Sequence, residues 1–211
     1  MRLDHVSYAA GPDGLDATAQ RLAGELGVDL VDGGLHPRFG TRNRVLPLAG
    51  GHYLEVVAAL DHPVVDKVPF GQAVKARSEA GGGWLGWVVA VDDLAPIEER
   101  LGRPAVGGHR VRPDGYDLVW RQIGVMGLMN DPQLPFFVHW ESDAGEHPSK
   151  GGHDVELLSL DIAGDPHFVT AWLGEPEDHP LDDVDVRWLP VNGGPGVRSV
   201  RFRTAHGEVT V

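Results

Sequence analysis

The 211-residue sequence has no cysteine. That excludes a disulfide framework, a thiolate nucleophile and any cysteine-held zinc or iron–sulfur centre. A metal, if used, must be held by His, Asp or Glu. Basic residues are scarce as well: 18 Lys and Arg face 31 Asp and Glu, a net charge of −13 with the 11 histidines neutral. This balance argues against nucleic-acid binding, which needs clustered Lys and Arg at the phosphates, and against docking on anionic membranes. Long apolar runs are missing too. The longest, Trp84 to Val91, falls far short of the ~20 residues that span a bilayer. Met1-Arg2-Leu3-Asp4-His5 moves into a strand-like segment without an apolar signal core, so the expectation is a cytoplasmic protein. There is no Gly-x-Ser-x-Gly elbow, no Gly-rich phosphate loop with a following Lys-Ser/Thr, and no His-Glu-x-x-His. Gly193-Gly194-Pro195-Gly196 precedes a strand instead of a helix and reads as a turn.

What is present is a hydrophobic fraction of 42%, enough for a packed core, punctuated by 29 glycines and 16 prolines into short segments. Leu3 to Ala10 reads as a strand. A helix follows, with Leu15, Ala19, Leu22 and Leu26 forming one apolar stripe and Gly27 closing it. Val28 to Asp32, Asn43 to Leu48 and His52 to Leu60 read as three strands. The same order recurs as a strand at Trp84 to Val91, a short helix marked by Leu94, Ile97 and Leu101, and strands at Val106 to Arg112, Asp117 to Val125 and Phe136 to Glu141. A connector between the copies carries a short helix around Gln72 to Glu79. A partial third copy follows: a strand at Val155 to Ile162, a helix at Pro166 to Leu173, and later strands at Val186 to Val191, Val197 to Arg203 and Glu208 to Val211. The expected fold class is α+β, built of paired βαβββ modules over 1–61 and 83–142, within a domain 1–145, and a partial third module over 146–211.

Strand alternation places His5 with Leu3 and Ser7 on one face, and Asp4 with Val6 and Tyr8 on the other. Tyr53, Glu55 and Val57 share a face, as do Phe137, His139 and Glu141. Each of the three strands thus has one helix-packing face and one that carries a candidate ligand.

The loop His36 to Arg44 holds Arg38, Arg42 and Arg44, whose guanidinium forks suit a carboxylate or phosphate. The competing reading is a solvated hairpin in which Gly40 serves only the turn. His147 and His153 flank a flexible link, with Asp154 and Glu156 nearby, but their spacing matches no helical ligand motif and favours surface histidines. The six tryptophans are core residues by default, with Trp84 and Trp120 as candidate pocket walls.

Leu3-Asp4-His5-Val6, His36-Pro37-Arg38-Phe39-Gly40-Thr41-Arg42-Asn43, Tyr53-Leu54-Glu55-Val56 and Pro135-Phe136-Phe137-Val138-His139-Trp140 resemble the vicinal oxygen chelate superfamily, and more narrowly its glyoxalase-like branch. The resemblance covers about the first 150 residues. It implies two modules curled around one open cup, with metal ligands on the first and fourth strands of each. Carried over, it implies a divalent metal (Zn, Ni, Mn or Fe) held by His5, Glu55 and His139, because Trp84 falls at the fourth ligand position. Arg38, Arg42 or Arg44 would orient the substrate while Tyr53, Trp84 and Trp120 line the cup. The implied function is a glyoxalase-like lyase or isomerase acting on a small oxygenated anionic metabolite, with extradiol dioxygenase chemistry less favoured. The alternative is a metal-free, sequestering binding protein of the bleomycin-resistance type, in which His5 and Glu55 bond only each other. The expected partner is a small molecule, with neither nucleic acid nor membrane, and with a homodimer as a further option.

Overall fold

A computed structural model describes every residue of the chain except Met129. The elements run β1 (Arg2–Ala9), α1 (Leu15–Leu26), β2 (Val31–His36), β3 (Thr41–Pro47), β4 (Tyr53–Ala59), α2 (Pro69–Glu79), β5 (Gly83–Ala90) and α3 (Ala95–Leu101). There follow β6 (Val106–Val111), β7 (Asp117–Ile123), β8 (Phe136–Trp140), β9 (Glu156–Ala163), α4 (Pro166–Leu173), β10 (Asp185–Leu189), β11 (Gly196–Thr204) and β12 (Gly207–Thr210). The two βαβββ repeats expected from the sequence are therefore β1-α1-β2-β3-β4 and β5-α3-β6-β7-β8.

The stripe on α1 does what its spacing predicts: Leu15, Ala19, Leu22 and Leu26 are buried. Gly27 ends the helix at φ 74°, its N–H donating to the Ala23 carbonyl. A residue with a Cβ pays a steric penalty in that left-handed conformation, which is why glycine stands there.

Eight strands close into a barrel in the order β1-β4-β3-β2-β6-β7-β8-β5. The first and fourth strands of each repeat pair in parallel, His5 opposite Tyr53 and Val88 opposite Phe136. One junction between the repeats is the long antiparallel pairing of β1 with β5. The other is narrow, a single register pair of Leu35 with Val111 between β2 and β6. The sheets thus meet at both edges, and the expected open cup is a closed ring of strands.

The strand expected at Val28 to Asp32 lies further on, at Val31–His36, and runs through Gly33 and Gly34. Paired glycines read as a turn, but here they serve the seam. A Cβ on Gly34, whose φ is 113°, would run into the Val111 carbonyl. One on Gly33 would run into the Asn43 amide. The close approach of β2 to β6 and β3 needs positions without side chains.

The third segment repeats the element order but not the pairing. Its sheet runs β10-β9-β11-β12, so β9 pairs in parallel with the strand that follows its helix. In the barrel repeats the first strand pairs with the fourth. This sheet shares one core with the barrel's outer face: Leu160, Val200 and Phe202 join Trp87, Leu22 and Leu54, all fully buried. Burial of a side chain of this size contributes roughly 1.5–3 kcal/mol.

Candidate functional site

Residues facing into the barrel are set by strand parity, except at one place on β1. Between the pairs Leu3–Val89 and His5–Val88, β1 advances two residues while β5 advances one. This bulge breaks the expected alternation. Asp4, predicted on the face opposite His5, instead bonds His5 Nδ1 through Oδ1 at 2.7 Å. The other Asp4 oxygen meets Trp140 Nε1 at 3.0 Å and His147 Nε2 at 3.1 Å. Burial alone would raise this fully buried carboxyl, but the bonds from His147 and His5 outweigh it and hold Asp4 below the ordinary carboxylate range. With acceptor-only Asp4 on Nδ1, the neutral His5 ring carries its proton there and leaves Nε2 as the basic nitrogen.

Next to His5, Glu55 points inward from β4. Ser7 Oγ donates to one oxygen at 2.7 Å and Asn43 Nδ2 to the other at 2.7 Å. Burial pushes Glu55 up, yet His36, His5 and these two bonds hold it below its ordinary value, so it is a carboxylate at neutral pH. His36 Nε2 lies 3.8 Å from Glu55 Oε1, and its Nδ1 bonds Thr41 Oγ1 at 3.0 Å. Burial, with Arg110 adding to it against the pull of Glu55, lowers His36 to about 4. It is therefore a neutral ring at pH 7.

These groups open on a cavity of about 40 Å³ inside the barrel. Its walls include Phe39, Phe70, Phe136, Trp120 and Trp140. Phe39, in the β2–β3 turn, and Phe70, on α2, meet edge to face at 5.4 Å. The cavity exceeds the ~10–15 Å³ that one water requires but is far below the ~300–1,000 Å³ of pockets for drug-sized molecules.

Two more polar residues line it, and reading the sequence missed both. Arg110 on β6 is 3% exposed, and Gln122 on β7 is 4% exposed. Among the described residues Arg110 Nε and Gln122 Nε2 are buried without a hydrogen-bond partner. Burial lowers the Arg110 pKa, and nearby Tyr53 and Glu55 oppose that shift.

Residues 3–176 match the glyoxalase-like domain family. The chain belongs to that family. Among solved structures, it is similar to a hypothetical protein from Staphylococcus aureus at 16% identity and TM-score 0.71, covering 98% of this chain and 92% of that one. A methylmalonyl-CoA epimerase from Mycobacterium tuberculosis overlaps at 18% identity and TM-score 0.43, over 67% of this chain and 88% of that one. A Streptomyces coelicolor methylmalonyl-CoA epimerase variant overlaps at 15% identity and TM-score 0.45, over 67% and 99%. No curated protein matches the chain.

Within this glyoxalase-like barrel the expected site residues divide. His5, Glu55, Tyr53 and Trp120 line the cavity, and the His5 and Tyr53 rings stack at 4.3 Å. His139 does not join them. Phe136, Val138 and Trp140 of β8 face inward, so the opposite parity turns His139 out, where Nδ1 meets the Val91 carbonyl at 3.2 Å. Trp84 is also outside the chamber, edge-on to Tyr8 at 5.1 Å, with Nε1 donating to the Val211 carbonyl at 3.0 Å. Nor does the arginine loop face the chamber. Arg38 donates to the Gly107 carbonyl at 3.1 Å, Arg42 to Asp32 at 3.2 Å and Arg44 to Asp16 at 2.8 Å. Arg42 and Arg44 alternate with inward-facing Asn43, which directs them to acidic partners on the barrel's exterior.

A divalent metal on His5, Glu55 and His139 does not fit this arrangement. One of the three side chains leaves by the other face, and both Glu55 oxygens already accept hydrogen bonds. Among the described residues no three His, Asp or Glu side chains are grouped to hold a metal ion. His147, His153, Asp154 and Glu156 form no such group either.

Proposed function

We propose that this glyoxalase-like protein takes a small oxygenated, anionic metabolite into the barrel and moves a proton on it. The observation that supports this reading is the convergence of His5, Glu55 and Arg110 on one small, aromatic-walled cavity. In this reading the cavity's size selects a compact molecule, and its walls exclude bulk water. His5 Nε2 is the proton acceptor, because Asp4 orients the ring and fixes its tautomer. Glu55, held ionised by His36, His5 and its bonds to Ser7 and Asn43, lines the same cavity. Neutral His36 supplies a hydrogen bond without competing for the proton.

The aromatic walls favour a second reading, a binding protein that sequesters its ligand without changing it. Small 2-oxo acids and 2-oxoaldehydes incubated in D₂O with the protein separate the two. The proposal expects deuterium at the carbon beside the carbonyl, followed by proton NMR, with the gain over buffer lost in His5→Gln. Binding without exchange supports sequestration. No binding by any of these compounds overturns both.

A further inference from the structure

The chamber is lined by two residues, Arg110 and Gln122, each with a buried donor that bonds no acceptor among the described residues. Arg110 makes no side-chain hydrogen bond or ion pair among the described residues, although it is 3% exposed and its Nε is shut off from solvent. Glu55 is the nearby counter-charge, yet its two oxygens accept from Ser7 and Asn43 and neither bonds Arg110. Gln122 is oriented by Trp120, whose Nε1 donates to Gln122 Oε1 at 3.0 Å. An indole N–H can only donate, so the amide oxygen must be the bonded atom and the Nε2 group is left with its two hydrogens unused. A buried donor without an acceptor is costly. Two of them on one cavity mark a place where the acceptor comes from a ligand.

We propose that Arg110 and Gln122 anchor a compact carboxylate carrying a second oxygen function, a short 2-oxo or 2-hydroxy acid. A guanidinium fork matches the two oxygens of a carboxylate, and the Gln122 amide takes the second oxygen. Gly33 places the guanidinium beside the β2–β3 seam, where a Cβ would meet the Asn43 amide first. Arg110 Nη1 lies 3.3 Å from where that Cβ would stand. The inference rests on the reading of the barrel interior as a ligand chamber and names the chemical class of the ligand.

Calorimetric titration of the full chain with pyruvate, lactate, propionate and the neutral isostere pyruvamide tests it. Wild type is expected to bind pyruvate and lactate about ten- to a hundredfold more tightly than pyruvamide, the range for a hydrogen bond to a charged group. Arg110→Met is expected to abolish that preference. Arg110→Lys, which keeps the charge but not the fork and serves if the methionine variant does not fold, is expected to lose roughly tenfold for pyruvate. Gln122→Leu should weaken pyruvate but not propionate, which lacks the second oxygen. Equal binding of pyruvate and pyruvamide by wild type overturns the anchor, as does an unchanged preference in Arg110→Met or full affinity in Arg110→Lys. A protein that binds pyruvamide but no carboxylate overturns the anchor alone. One that binds none of the four compounds overturns the chamber reading with it.

Discussion

Lowering the pH from 7.5 to 4.5 should destabilise the protein through His36, and the amount follows from its burial. His36 titrates at about 4 in the folded chain against an ordinary value of 6.5. Between those values the unfolded chain binds the proton and the folded one does not, so stability falls as pH falls. The stability is fully present above pH 6.5 and is lost on acidification towards the folded pKa. The depression corresponds to about 2–3 kcal/mol by pH 4.5, with roughly half of it gone by pH 5.5. Asp4 and Glu55 are also depressed, but from ordinary values of 3.8 and 4.5, so their loss falls mainly at lower pH. Urea unfolding of wild type and His36→Gln at pH 7.5, 5.5 and 4.5 isolates the effect. The gap between the two proteins should shrink by about 2–3 kcal/mol across the series, because the variant lacks the titrating ring. A constant gap would refute the argument that burial beside Arg110 keeps this ring neutral.

Gly34→Ala should destabilise the protein by about 2 kcal/mol or more, because the new Cβ meets the Val111 carbonyl at a φ of 113°; an unchanged thermal midpoint would show that the seam is looser than described. His139→Ala should leave uptake of Zn²⁺, Ni²⁺, Mn²⁺ or Fe²⁺ by the purified protein unchanged by elemental analysis, since that ring faces out of the chamber. Loss of bound metal in that variant would contradict the parity of β8. Arg100 on α3 donates to the carbonyls of Ala171, Trp172 and Leu173 at the end of α4. Arg100→Met should therefore cost about 1–2 kcal/mol in denaturant unfolding and speed proteolysis around α4; unchanged cleavage there would count against this tie.

The sequence carried the repeat order well because periodicity is local. The α1 stripe and its Gly27 stop needed no tertiary information, and Pro166–Leu173 was bounded by its own turn residues. The inward residues of β1 and β4 were also legible, since a strand reading His-x-Ser or Tyr-x-Glu against apolar neighbours shows which face is polar. On β8 the alternation was visible but its sign was not. Phe136, Val138 and Trp140 are as apolar as a helix-packing face, yet they line the chamber while Phe137 packs against Trp172 outside. Which face turns inward depends on the rest of the barrel. Asp4 was misplaced because a bulge is a property of the pairing with β5, not of either strand alone. Arg110 was hidden in Val-Gly-Gly-His-Arg-Val, where a charge on a strand ordinarily faces water. The available signal was the pair of double glycines, Gly33-Gly34 and Gly107-Gly108, on β2 and β6. Gly33 and Gly108 leave room for Asn43, Arg110 and Trp120 at the barrel's seam.

The most direct test of a ligand chamber inside the barrel is the set of tryptophan indole N–H signals in a ¹H–¹⁵N spectrum during titration with pyruvate. Trp120 and Trp140 line the chamber, their Nε1 groups bonded to Gln122 and Asp4. Trp84, Trp87 and Trp172 donate instead to the carbonyls of Val211, Gln133 and Pro135, away from it. Saturable shifts of the Trp120 and Trp140 signals are expected, assigned with Trp120→Phe and Trp140→Phe, while those of Trp84, Trp87, Trp172 and Trp188, the last on β10, stay in place. Saturable shifts confined to Trp84, Trp87, Trp172 or Trp188 would put the ligand outside the barrel and contradict a chamber inside it.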